Sequence, residues 1–224
     1  MTERLIVVPG ETIFKGDEYL PGEGTEKRGD EIVSIRFGLA EESKNLVKVI
    51  PLSGVYQPRR GNVVIGKVGM ITSAGWVVDI GTPENAFLSL MEVPRYVNKD
   101  DLRGVLDVGE MIVAKIYSIG GRGTDLSFKF PGTGKLGRGI IIQVNPNKVP
   151  RVIGKEGSMI SLIKDETKCR ITVGQNGYIW IGGDKVEDEL FAKKAIMYIT
   201  ENSLMSGLTD EMKKWFDENR EKVE

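Results

Sequence analysis

From Leu5 to Phe130 apolar and polar positions tend to alternate, whereas beyond Val149 the apolar positions recur with a helical period. The alternating part divides at Gly54. Before it, Ile32, Ser34 and Arg36 alternate with Val33, Ile35 and Phe37, and Leu46 to Ile50 follows as a second apolar run. The turn-rich stretch Pro21 to Asp30 lies ahead of both, so residues 1–55 read as a small β module. After the lead Tyr56 to Gly61, five strands are predicted: Asn62 to Ile71, Gly75 to Ile80, Ala86 to Leu90, Glu110 to Ile119 and Thr124 to Phe130. Glycines and polar residues separate them, and one long connection, Pro94 to Gly109, lies between the third and the fourth.

Five short strands with a single long connection predict a small closed barrel of OB type over residues 56–131, because closure removes the exposed edges. Pro131 to Gly137 reads as a linker into a third module, residues 132–205. There the strand Ile140 to Val144 is followed by helical runs at Val149 to Ile153 and Ser158 to Thr167. Two strands, Arg170 to Val173 and Tyr178 to Ile181, join across Gly174-Gln175-Asn176-Gly177. Asp184 is expected to cap a long helix with the apolar stripe Phe191, Ala192, Ala195, Ile196 and Ile199. The order is βααββα. Residues 206–224 form a charged tail with one short helix from Thr209. The expected fold class is therefore mainly β plus α/β, in several domains.

Composition narrows the chemistry. The chain has no histidine and one cysteine, Cys169, so the commonest general base is missing and multi-cysteine zinc sites and internal disulfides are excluded. Cys169 opens an apolar strand and reads as a core residue. The formal net charge of −1 means that any polyanion site must be a local patch. No apolar run approaches the ~20 residues a bilayer requires, and the reading is of an intracellular, soluble protein in a reducing compartment. Gly134-Lys135 suggests a phosphate-binding loop, but Leu136 stands where magnesium needs a hydroxyl. Acidic residues such as Asp79, Asp107 and Glu110 show no metal-ligand spacing and no nucleophile with a base, so no catalytic residue and no cofactor are predicted.

The motif that carries a function is Arg151-Val152-Ile153-Gly154-Lys155-Glu156-Gly157, which joins two short helices. A glycine, two polar residues and a glycine in a βααββα frame make the GXXG clamp of a type I KH domain, a binder of single-stranded RNA. The two glycines let a sugar-phosphate strand approach the main chain, and the next helix turns its free N–H groups toward it. Lys155 adds charge at the tip, Arg151 and Lys148 flank the groove, and Glu156 opposes them.

Gly61 to Val68, Trp76 to Gly81 and Val108-Gly109-Glu110 resemble the RNA-binding repeat of ribosomal protein S1, which is an OB fold. With the KH module behind it, the pair resembles the KH-bearing cap subunits of the archaeal RNA exosome. Val8-Pro9-Gly10, Pro21 to Thr25 and Tyr56 to Gly61 are similar to that family as well. The resemblance implies a non-catalytic subunit, three copies of which sit on a ring of RNase PH-like proteins. The N-terminal module would contact the ring while the barrels surround its pore. RNA would be recruited and threaded into the ring for 3′-to-5′ degradation in the cytoplasm. The alternative is a free-standing RNA-binding protein associated with translation or RNA metabolism. In S1 repeats of this kind aromatic side chains stack on bases; Ala74, Val77 and Ser89 align with those positions and their histidine neighbour. Trp76 is read either as a substitute platform or as outward cover or an inter-domain contact. Phosphate guidance falls to Lys67, Arg95 and Arg122, with Arg59 and Arg60 as further candidates.

Overall fold

The computed structural model describes residues 5–98, 101–121, 123–205 and 207–220. They fall into two compact units, one ending at Gly54 and one beginning at Val55.

The first unit holds seven short strands: β1 (Leu5–Val7), β2 (Thr12–Lys15), β3 (Leu20–Pro21), β4 (Thr25–Arg28), β5 (Glu31–Ser34), β6 (Gly38–Ser43) and β7 (Leu46–Pro51). They form two sheets, ordered β1-β6-β7-β3 and β2-β5-β4. Val7, Ala40 and Val49 make a small core with Ile13 against it. The alternation expected through Phe37 stops at Ser34, where Ile32, Val33 and Ser34 are all buried. The Ser34 hydroxyl donates to the carbonyl of Arg36 at 2.6 Å, which turns the chain out of the strand. Such a core is thin, and Leu5, Ile6, Val8, Leu20 and Leu46 remain exposed on the unit.

In the second unit β8 (Val63–Thr72), β9 (Gly75–Asp79), β10 (Ala86–Ser89), β11 (Met111–Gly120) and β12 (Gly123–Ser127) run in the order β12-β10-β9-β8-β11, and β12 pairs again with β11 to close the barrel. Bulges between Val68 and Met70 and between Ile116 and Ser118 supply the bends that closure requires. Val64, Val68, Val78, Leu88, Ile112 and Leu126 fill the interior, and Leu102 and Leu106 of the long connection plug one end. Trp76 belongs to this interior. It is fully buried, and its Nε1 donates to the carbonyl of Leu106 at 2.9 Å. Neither reading of Trp76 from sequence holds: it shares strand parity with Val78 and Ile80, so it points inward.

The linker is also more ordered than its glycines suggest. Gly134–Lys135 forms β13, which pairs with Ile112 and Val113 of β11 where β12 no longer does.

From there β14 (Ile140–Gln143), α1 (Val149–Ile153), α2 (Ser158–Thr167), β15 (Arg170–Val173), β16 (Tyr178–Gly182) and α3 (Val186–Glu201) give the expected βααββα order, with the antiparallel sheet β14-β16-β15. Alternation assigns the two faces of this sheet. Ile142, Ile179 and Ile181 pack with Val152, Ile163, Ala192 and Ile196 of the helices. Ile141, Tyr178 and Trp180 point the other way, against Ile65 and Val113 of the barrel. Asp184 does not cap α3; the N-cap is Lys185 without a side-chain bond, and the Glu189 carboxylate accepts from the Gly183 N–H at 3.0 Å instead. The tail helix α4 (Leu208–Arg220) is amphipathic and docked: Leu208, Met212 and Phe216 join the same core, and Trp215 stacks on Phe191 with centroids 5.5 Å apart. Among the described residues no helix is long and apolar enough to cross a membrane.

Candidate nucleic-acid interface

The GXXG segment sits where α1 stops. Gly154 takes φ +76°, its N–H donates to the Pro150 carbonyl at 2.9 Å, and the helix cannot continue. Lys155 to Gly157 make one tight turn before α2 begins. No side chain caps the N-terminus of α2, and no acidic residue lies in its first turn. The positive end of that helix is therefore open to an anion.

The two glycines do different work. At Gly154 a Cβ would lie 2.7 Å from the backbone nitrogen and Cβ of Met159, so this glycine is required by internal packing. At Gly157, φ is +82° and the nearest neighbour of a Cβ is Ile160 Cγ2 at 3.9 Å; the space beside it is open. Open space beside the main chain is thus found at Gly157 and not at Gly154. Between them Glu156 holds φ +54°, a left-handed conformation unusual for a residue with a side chain.

Arg151, Lys155 and Glu156 are all exposed, and the structure brings them together around this turn. Among the described residues none of the three makes an ion pair. Lys148 is engaged elsewhere. Its ammonium donates to the Thr200 carbonyl at 2.7 Å, near the C-terminus of α3, where a cation offsets the helix dipole. It ties α1 to α3 and does not reach for a groove.

On the barrel the predicted residues are dispersed. Lys67 is exposed in the middle of β8, in register with Asp79 on one side and Met111 on the other. Arg95 is exposed on the connection after β10. Arg122 lies outside the described residues. Arg59 and Arg60 are exposed on the lead into the barrel. Ala74 is exposed in the turn before β9, Val77 is half-buried on the outer face, and the Ser89 hydroxyl accepts from the Met91 N–H at 3.2 Å to start a short 3₁₀ turn.

Sequence reasoning missed two residues here and set aside a third. Phe87 stands half-buried on β10 opposite Val77 and Asp125, an aromatic on the outer face one strand from where it was sought. Its parity, opposite to the buried Ala86 and Leu88, was the available signal. Tyr96 is 93% exposed beside Arg95. Lys135, set aside with the phosphate-loop reading, lines an open cavity with Arg95 and pairs with Glu110. That pair, with the Asp107 N–H, holds the Glu110 carboxyl below its ordinary range.

The barrel and the βααββα module are fastened by the β15–β16 turn. The Gln175 N–H donates to the Val63 carbonyl at 2.8 Å, and the Val63 N–H donates back to Gln175 Oε1 at 2.6 Å. Asn176 accepts from the Ile65 N–H at 3.2 Å and donates to the carbonyls of Ile65 and Ile80 at 2.7 and 2.8 Å. The start of β8, Val63 to Ile65, which β9 does not reach, is satisfied by this turn.

Comparison with known proteins agrees with the geometry. Residues 55–120 match the family described as "RRP4, S1 domain" and residues 139–187 match "KH domain". "Exosome complex component Rrp4" of Methanobrevibacter smithii is 40% identical over 93% of this chain and 69% of its own. The protein of the same name from Pyrococcus furiosus is 42% identical over 94% of this chain and 81% of its own. A crystal structure of a protein provisionally assigned as an exosome complex RNA-binding protein superposes with a TM-score of 0.68 at 36% identity, covering 76% of this chain and 100% of that one. An S1-type barrel welded to a KH module, behind a small β module, and these identities over nearly the full length place the chain in the family of archaeal exosome complex components called Rrp4.

Proposed function

We propose that this chain is a non-catalytic cap component of the archaeal exosome that holds single-stranded RNA and passes its end to a degrading ring. The observation that carries the reading is the exposed turn Lys155-Glu156-Gly157, with Arg151 beside it and an uncapped helix N-terminus behind it. That arrangement suits a phosphate-sugar strand lying against main chain, with Lys155 and Arg151 neutralising phosphates. On the barrel Lys67 and Arg95 are separate candidates for phosphate contacts, Arg122 is a third from the sequence alone, and Phe87 offers a face for one base.

The exposed aliphatic side chains of the N-terminal unit, among them Leu5, Ile6, Leu20 and Leu46, suit a protein partner. In this reading the partner is the ring of RNase PH-like subunits, with three copies of the chain per ring. A chain without histidine is poorly equipped for general acid–base chemistry, which fits a subunit that leaves cleavage to the ring. The place of action is the cytoplasm.

The test has two arms. Purified chain incubated with labelled single-stranded RNA, magnesium and phosphate is expected to bind the RNA and leave it intact; degradation by the chain alone overturns the non-catalytic role. Native mass measurement of the complex isolated from cells is expected to show three copies with ring subunits. A free monomer there would favour a free-standing RNA-binding protein.

A further inference from the structure

A cavity of about 410 Å³ opens between the connection after β10 and the turn after β12. Its buried lining is apolar, made by Val93, Leu106 and Phe128 with Val105 beside them. Its exposed edge carries Arg95 from one segment and Lys135 from the other. Gly134 also lines it, and a Cβ built there would meet nothing within 4 Å, so free space lies directly against the main chain. Among the described residues Arg95 has no ion pair, whereas Lys135 is held by Glu110.

We infer that this cavity takes one nucleotide of a single-stranded RNA, its base against Pro94 and Val105, above Phe128, and its phosphate between Arg95 and Lys135. The inference rests on the RNA-binding reading above and adds a contact site apart from the GXXG turn. The volume falls within the about 300–1,000 Å³ of ordinary ligand pockets. An apolar recess edged by two cations favours a ligand with a flat apolar body and an attached anion, which a nucleotide is. Arg95 offers a planar fork of donors to the phosphate, and the phosphate competes with Glu110 for Lys135. Apolar packing on a base face and a phosphate contact do not depend on base identity, so binding here is expected to be tolerant of sequence; the donor of the Thr133 hydroxyl is engaged by the carbonyls of Phe128 and Phe130, at 2.9 and 2.6 Å.

The experiment measures binding of a labelled oligoadenylate to the full chain across a salt series. Arg95→Ala is expected to weaken binding and to reduce the slope of log K against log salt by about 0.7, one single-strand phosphate contact. Val105→Phe fills the recess without touching charge and is expected to weaken binding roughly five-fold or more with the slope unchanged. Lys155→Ala serves as the reference for the GXXG turn. If Lys155→Ala weakens binding while both cavity variants bind as the parent does, the cavity is overturned and the RNA-binding reading stands. If the parent chain does not bind the RNA, both fall. Because Val105→Phe could disturb the barrel, cross-linking of 4-thiouridine RNA to the unaltered chain provides a second readout. Cross-links in the peptide carrying Val93 to Leu106 are expected; cross-links confined to Arg151 to Ile160 overturn the site. Adenosine monophosphate that binds the cavity while RNA fails to cross-link there would assign it to free nucleotides and overturn the strand.

Discussion

The side-chain amide of Asn176 holds both backbone groups of Ile65, accepting from its N–H at 3.2 Å and donating to its carbonyl at 2.7 Å. The two residues are 111 positions apart. One buried amide thus completes the hydrogen bonding of a barrel strand from within another module.

Asn176→Ala is expected to be among the most damaging small substitutions in the chain. It strands the Ile65 N–H and the carbonyls of Ile65 and Ile80 in a buried seam, at about 1–3 kcal/mol for each group left without a partner. Urea denaturation of the variant should show a lower midpoint, and the barrel and KH transitions should separate. A single transition at the parent midpoint would mean that the apolar contacts of Trp180 with Ile65 and Val113 suffice by themselves.

Gly154→Ala and Gly157→Ala should part company. The first drives a Cβ to 2.7 Å from Met159 and is expected to lower the melting temperature sharply. The second faces open space and costs about 1–2 kcal/mol, the usual penalty for a left-handed side chain. RNA affinity should fall for Gly157→Ala in a chain that circular dichroism shows to be folded. Equal thermal behaviour of the two variants would contradict the packing role of Gly154.

Glu156 works against the clamp twice, through its charge and through its φ of +54°. Glu156→Gln keeps the conformation and removes the charge, so RNA affinity should rise with no change in melting temperature. Glu156→Gly removes both and should add about 1 kcal/mol of stability as well. Equilibrium binding and thermal scans on the pair separate the two effects. Weaker binding by Glu156→Gln would show that the carboxylate contacts a base.

Burial pushes the Cys169 thiol up, with a smaller opposing effect from Thr167 and small additions from Asp188, Glu189 and Asp184. A folded-state pKa above the unfolded one means that the thiol favours folding while neutral. Its contribution is fully present well below about pH 8.5, the midpoint of the unfolded thiol, and is lost as pH rises toward the folded value. Stability measured from pH 7 to 10 should decline less in Cys169→Ala than in the parent. Reaction with a thiol reagent should be slow in the native chain and complete once it unfolds.

Much of the fold was legible because its signals are local. Val149 to Ile153 and Ser158 to Thr167 emerge from the structure as the helices that the pattern predicts, since Gly154 and Gly157 mark their ends. Trp76 could have been assigned too: Asp79 lies out of phase with it and faces water. Other features depend on partners far along the chain. Gly174-Gln175-Asn176-Gly177 reads as a hairpin turn, and only the edge of β8 gives it another role. Lys148 resembles any surface lysine until α3 ends beside it. The spacing of Leu208, Met212 and Phe216 marks an amphipathic helix, but nothing local names α3 as its seat. The clamp was legible as a motif, whereas the cavity edged by Arg95 and Lys135 needs two segments that only barrel closure brings together.

The seam made by Gln175 and Asn176 leaves no slack between the KH turn and the barrel. For a polynucleotide long enough to reach both, the second attachment is an intramolecular event, governed by a preset span rather than by the wandering of a tether. On the RNA-binding reading proposed above, short fragments are expected to gain one foothold and dissociate, and longer ones to gain avidity, so that affinity should rise with length.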